Sequence, residues 1–175
     1  MNNKLNRLLK LNQSLKPPKD LSGVFLPKGS KKHFDFMFIA EMPSMNEPKN
    51  WDGKSNYNFN ISGRDEFLQN MMVKYNVAGR YATDIVKKRD VPRRPTKSEI
   101  QEWLPHLLKE IEIIQPKAII ILGKRTYEWG FKPSVEPFIS KKIKVEYVFH
   151  YGRRVSRNKF ERKFREIIIE IRKSW

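Results

Sequence analysis

Residues Phe36-Met-Phe-Ile-Ala40 form an unbroken apolar run that meets a carboxylate at Glu41 and a chain break at Pro43. A strand made of such a run must be covered on both faces, which points to the interior of a parallel α/β sheet. In sheets of that kind ligands gather outside the carboxyl ends of the strands, so Glu41 stands at a candidate functional position. The same carboxylate would serve equally as a helix cap or a solvated turn residue.

The rest of the chain supplies partners for that strand. Leu5, Leu8, Leu9 and Leu11 recur at near-helical spacing and predict a short amphipathic helix ended by Pro17 and Pro18. A basic, turn-rich run from Lys28 to Lys32 follows, so residues 1–30 read as a helix and a lead-in to a first strand over Phe34 to Ala40. Pro43 to Ile61 is polar and without period, carrying five asparagines together with Trp51, Tyr57 and Phe59. Loops this long are usually functional or mobile, and their aromatic rings either stack on bases or anchor the loop to the core. Ser62-Gly-Arg-Asp65 resembles a capping box with Asp in place of Glu, and Phe67, Leu68, Met71, Met72 and Tyr75 share one helical face. Gly63 and Arg64 fall in that first turn, where backbone N–H groups suit a phosphate.

A short strand is predicted over Tyr81 to Val86, with Asp84 at its polar end and the basic tract Lys87-Lys88-Arg89 behind it. Thr96-x-x-Glu99 is a capping box, and Ile100, Trp103, Leu104, Leu107, Leu108, Ile111 and Ile114 repeat at 3.6-residue spacing. Pro105 predicts a kink in this helix, and His106 reads as a surface or helix-packing residue rather than a catalyst. Lys117 to Gly123 is a third strand buried on both faces, leading into a short helix with Tyr127 and Trp129. Lys144 to His150 alternates as a fourth strand, and Phe160, Phe164, Ile167, Ile168 and Ile171 mark a final amphipathic helix. Strands interleaved with helices at this spacing predict one domain, a parallel sheet with helices on both sides.

Thirty-six Lys and Arg against 19 acidic residues give a formal charge of +17. An excess of this size favours a polyanionic partner, nucleic acid first and an anionic membrane surface second. There is no cysteine, which excludes disulfides and thiolate metal sites. No apolar run approaches a membrane span, and the polar start does not suit a signal peptide, so the expectation is a soluble protein of the cytoplasm or nucleoid, not secreted.

Four separated pieces, taken together, resemble the uracil-DNA glycosylase superfamily, above all its family 4. FMFIAEMPS is similar to that family's strand ending in a Gly-Glu-Ala-Pro-Gly turn, and Ile61-Ser-Gly-Arg64 to its Phe-Val-Gly-Arg helix start. The third piece combines YATDIVKKR with the downstream helix and PKAIIILG, similar to the family's Thr-Asn-Val-Val-Lys-Cys-Arg run and its Pro-Lys-x-Ile-hydrophobic-Leu-Gly strand. Phe149-His150-Tyr-Gly-Arg153 is placed like its His-Pro-Ser motif. The resemblance spans about Phe34 to Arg165. It implies a three-layer αβα sandwich around a four-stranded parallel sheet, in a monomeric, monofunctional enzyme that removes a damaged base from DNA, uracil being the first candidate.

By the same resemblance Glu41 would hold a water for attack at the sugar carbon, and His150 would donate a hydrogen bond to the departing base. Met42, Pro43, Asn58, Phe59, Asn60, Ile61 and Asp84 would surround that base. Ser62, Gly63, Arg64, Lys87, Lys88, Arg89, Tyr151, Gly152, Arg153 and Arg154 would meet the DNA. Family 4 enzymes normally hold an iron–sulfur cluster on four cysteines; without them no cofactor is expected here, and packing alone is left to rigidify the same region. Asp84 stands where the family has the asparagine that reads the uracil edge, replacing a donor and an acceptor with acceptors only. Three readings stay open: a protonated Asp84, an Asp84 turned toward Lys87, Lys88 or Arg89 while Asn58 or Asn60 reads the base, or a base presenting adjacent donors. Two other functions also stay open, an inactive glycosylase-fold nucleic-acid-binding protein and an α/β domain whose charge serves a ribosomal, RNA or membrane partner.

Overall fold

The computed structural model describes residues 3–15, 23, 24, 33–43, 59, 63–78, 80–89, 93–151 and 155–175. Helix α1 (Asn3–Gln13) precedes a two-residue strand β1 (Gly23–Val24) and the apolar strand β2 (Phe36–Ala40). Helix α2 (Gly63–Lys74), β3 (Tyr81–Asp84), β4 (Lys88–Arg89) and the long α3 (Lys97–Ile114) follow. After β5 (Ala118–Leu122) come a π-helix (Thr126–Phe131), one turn of α-helix α4 (Lys132–Ser134), a 3-10 turn (Glu136–Phe138), β6 (Lys144–Val148) and α5 (Arg157–Lys173).

The central sheet has the order β3-β2-β5-β6 with every neighbouring pair parallel. Alternation along its two apolar strands splits the core. Phe36, Phe38, Ala40, Ala118, Ile120 and Leu122 pack with α2 and α5, whereas Met37, Ile39, Ile119 and Ile121 pack with α1, α3 and the 131–135 segment. These strands lack a polar face because both layers claim one, and each fully buried Leu, Ile or Phe contributes roughly 1.5–3 kcal/mol. The expected three layers and four parallel strands are present.

Element ends moved from the sequence expectation by one or two residues. The sheet strands begin or end at Phe36, Asp84 and Val148 rather than at Phe34, Val86 and His150, although Ile85 N–H still donates to Ala40 O (2.9 Å) and Val86 N–H to Glu41 O (3.1 Å). Helix α3 runs through Pro105 without interruption. Its Thr96–Glu99 capping box is complete, and the Arg93 guanidinium with the Thr96 backbone holds the Glu99 carboxyl down to about 2. At its other end Lys4 Nζ donates to Ile114 O (2.9 Å), tying α1 to a helix terminus that favours cations.

The basic tract 87–89 departs most from expectation. Lys88 and Arg89 form β4 and pair antiparallel with β1, a ribbon the sequence did not announce. Lys87 is corrected outright: it does not face DNA but is fully buried, with Nζ 2.9 Å from Glu110 Oε2 and donating to Asp84 O at 2.9 Å. Glu110 also accepts from Tyr81 Oη (2.8 Å) and Thr83 Oγ1 (3.3 Å), and Asn12 Nδ2 donates to Tyr81 Oη (3.3 Å). His106 Nε2 stands 3.6 Å from Glu110 Oε1, attractive when charged but too long for a hydrogen bond. A buried ionic network thus joins α1, β3 and α3.

Candidate active site

The strand register brings the candidate side chains to one edge of the sheet. Ala40 pairs with Asp84, Ile39 with Ile121, and Leu122 with Val148, so one level runs Asp84, Ala40, Leu122, Val148 across all four strands. Glu41 lies one residue above that level and His150 two. With β5 between their strands, the backbones carrying them are about 10 Å apart, two strand spacings.

Glu41 points toward the start of α3, where Arg94 Nη1 meets its Oε1 at 3.2 Å. Met42 packs with the core on that same side, and Pro43 is buried. Asp84 is 1 % exposed and stands close enough to Tyr151 for its charge to act on the phenol. Lys87 binds the Asp84 backbone carbonyl and gives its ammonium to Glu110, so Asp84 is not the carboxylate that Lys87 neutralises.

His150 lies against the end of β5. A Cβ placed on Gly123 would come within 3.5 Å of His150 Cβ, 3.6 Å of its Cδ2 and 2.9 Å of Thr126 Oγ1, and Gly123 has φ +132°. Only glycine suits that backbone and that approach. The imidazole also stacks on the Tyr151 ring, centroids 5.1 Å apart and planes within 6°. The Tyr151 hydroxyl donates to Asp65 Oδ1 (2.6 Å), so Asp65 takes a tertiary partner from the β6–α5 connection beyond any role at its own helix end. Burial first, then the Asp65 carboxylate and the charge of Asp84, push the Tyr151 phenol well above its ordinary value, which keeps it a donor.

A cavity of about 160 Å³ opens beside this pair, lined by Arg64, Phe67, His150, Tyr151, Val155, Arg157 and Phe160. Glu41 does not line it. Arg157, which the sequence reading did not single out, holds its guanidinium 5.4 Å above the Phe67 ring. Lys88 is exposed on β4 and Gly63 opens α2. Phe59 is 4 % exposed in the core beneath α2, its carbonyl accepting from Gln69 Nε2 (2.7 Å), with φ +62°. For a bulky residue that conformation costs on the order of 1–3 kcal/mol. Asn58, Asn60, Ile61, Ser62, Gly152, Arg153 and Arg154 lie outside the described residues.

An open all-parallel sheet, layered by helices and carrying an acid and an imidazole on loops at its carboxyl edge, defines the class of α/β proteins that take their ligands over the strand ends. The family model of the uracil DNA glycosylase superfamily matches residues 26–172, and the chain belongs to that superfamily. A type-4 uracil-DNA glycosylase from Sulfurisphaera tokodaii is 31 % identical over 125 residues, 67 % of this chain and 53 % of that protein. The chain thus spans about half the length of this curated relative.

The iron–sulfur cluster that family 4 would imply does not fit this chain. Its donor set is cysteine thiolate, and the sequence has none; Lys88 occupies the cysteine position of the Lys-Cys-Arg run. Among the described residues no cluster of three His, Asp or Glu side chains could hold a metal ion. Among them, too, no helix is long and apolar enough to cross a membrane.

Proposed function

We propose that this protein is a monofunctional, monomeric DNA glycosylase that hydrolyses the bond between deoxyribose and a deaminated base, uracil first, and leaves an abasic site. The observation that carries the reading is the placement of Glu41 and His150 at the carboxyl ends of β2 and β6, within a chain of this superfamily. The bond to be cut is inaccessible in stacked DNA, so the nucleotide must be extruded first. The C1′–N bond then breaks with its electron pair leaving on the base, where His150 donates a hydrogen bond. Water adds to C1′, losing its proton toward Glu41, whose charge also stabilises the cationic sugar. Groups fixed at the two places where charge develops are worth more here than a strong nucleophile.

Asp84 favours one second reading, a glycosylase-fold protein that binds DNA without excising a base. Its buried carboxylate offers acceptors only, and facing an acceptor such as uracil O4 costs on the order of 1–3 kcal/mol or more. A base panel separates the two. Oligonucleotides carrying uracil, hypoxanthine, xanthine or mismatched thymine are expected to yield alkali-labile abasic sites with at least one base. Cleavage at background for the whole panel, with salt-sensitive binding to undamaged duplex, would establish the second reading.

The cavity at Arg64, His150 and Arg157 suits a phosphate of the target strand, with Phe67 holding one guanidinium in place. Arg157→Gln is therefore expected to weaken binding to all sequences alike. The slope of log K against log salt should fall by about 1, one phosphate contact. An unchanged slope in fluorescence-anisotropy titrations would remove Arg157 from the DNA interface.

A further inference from the structure

We propose that Asp65 and Tyr151 act as a positioning pair for His150: Asp65, on α2, fixes the phenol, and the phenol ring fixes the plane of the imidazole. The inference rests on the role given to His150 above. Consecutive side chains on an extended segment point to opposite sides, so two neighbouring rings lie face to face only where the backbone turns between them. Here the chain turns just after β6, and the rings stack within 6° of parallel. Gly123 lies beside the same side chain, where an added Cβ would stand 3.5 Å from His150 Cβ and 3.6 Å from its Cδ2. The imidazole is thus held against a ring, next to a backbone position that carries no side chain.

The ring is itself held in place. Tyr151 packs against the core shared by α2 and α5, and its hydroxyl reaches Asp65, which is 6 % exposed in the first turn of α2. That 2.6 Å hydrogen bond to a carboxylate is of the short, charge-assisted kind. A hydrogen-bond donor to a leaving base works only if its direction is set before the bond breaks, because reorientation during reaction would consume the gain. The family motif places proline after the histidine and stiffens the chain there. This sequence has Tyr151 instead, and the stack with its anchor supplies the stiffness.

The test uses the full chain and two readouts. In long-range ¹H–¹⁵N spectra of the imidazoles, Tyr151→Phe and Asp65→Ala are expected to shift or broaden the His150 signals while those of His33 and His106 stay put. Asp65→Asn, which keeps an acceptor oxygen, should restore the wild-type pattern. In single-turnover excision at saturating protein, Tyr151→Phe and Asp65→Ala should each lose about tenfold, the worth of one strong hydrogen bond, with the double variant no slower than either single. In a His150→Ala background Tyr151→Phe should cost nothing further. Unchanged His150 signals in Tyr151→Phe, or an equal loss of rate in the His150→Ala background, would overturn the pair. The spectra decide the matter even if the wild-type protein excises none of the bases, so failure of the positioning pair and failure of the glycosylase reading are told apart.

Discussion

Glu41→Gln is expected to slow single-turnover base excision by about 10²-fold while leaving the Kd for the same duplex unchanged. The substitution keeps the size and hydrogen-bonding reach of the side chain and removes only its charge. Removing one fixed group that stabilises charge in a transition state costs about 10²–10³ in rate, and the lower end is expected here because Arg94 already compensates part of the Glu41 charge at 3.2 Å. The same pairing gives a control. Arg94→Met leaves the carboxylate in place and removes a guanidinium near the strand ends, so it should weaken DNA binding more than Glu41→Gln does. A loss of affinity in step with rate for Glu41→Gln would reduce Glu41 to a residue that positions the duplex. A rate equal to wild type would remove it from the chemistry.

The sheet and its two helical layers were legible because their signals are local. Five-residue apolar runs at β2 and β5 and 3.6-residue stripes in α3 and α5 depend on no distant partner, and Phe160, Phe164, Ile167, Ile168 and Ile171 are all buried as their spacing requires. Candidate positions at the strand ends were legible for the same reason: a charged residue that closes an apolar strand is visible in one dimension. Partners were not. Glu41 meets Arg94, Tyr151 meets Asp65 and Lys87 meets Glu110 across the fold, and no periodicity joins any of these pairs. Lys87 was misread because three consecutive basic residues look like a solvated tract. One signal did point the other way. Glu110 lies three residues after Leu107 and four before Ile114, on the apolar stripe of α3, and a carboxylate there needs a buried cation. The β1–β4 ribbon, two residues in each strand, is too short to carry any period, and the left-handed backbone of Phe59 has no sequence mark at all.

Glu110→Leu should destabilise the protein by about 3–5 kcal/mol, which lowers the thermal midpoint by on the order of 10 °C. The pair it breaks has side chains 1 % and 0 % exposed, so Lys87 would be left buried without its carboxylate, and Tyr81 and Thr83 without the oxygens they donate to. Adding Lys87→Met should recover part of the loss, because an apolar pair of similar volume is tolerated where a lone charge is not. The recovery is only partial, since the Tyr81 hydroxyl still lacks its acceptor. Burial pushes the Glu110 carboxyl up, but the Lys87 ammonium, with His106, outweighs it and holds the group below the ordinary value of 4.5. A carboxylate depressed in the folded state adds stability that is fully present above its unfolded value and is lost as pH falls through the folded one. Urea titrations should therefore show the gap between wild type and Glu110→Leu narrowing as pH falls below about 4. Because Lys87 also binds the Asp84 carbonyl, the same variant should disturb the end of β3 at temperatures where the fold survives, and base excision with it. A double variant less stable than Glu110→Leu alone would show that the ion pair is not what this buried network depends on.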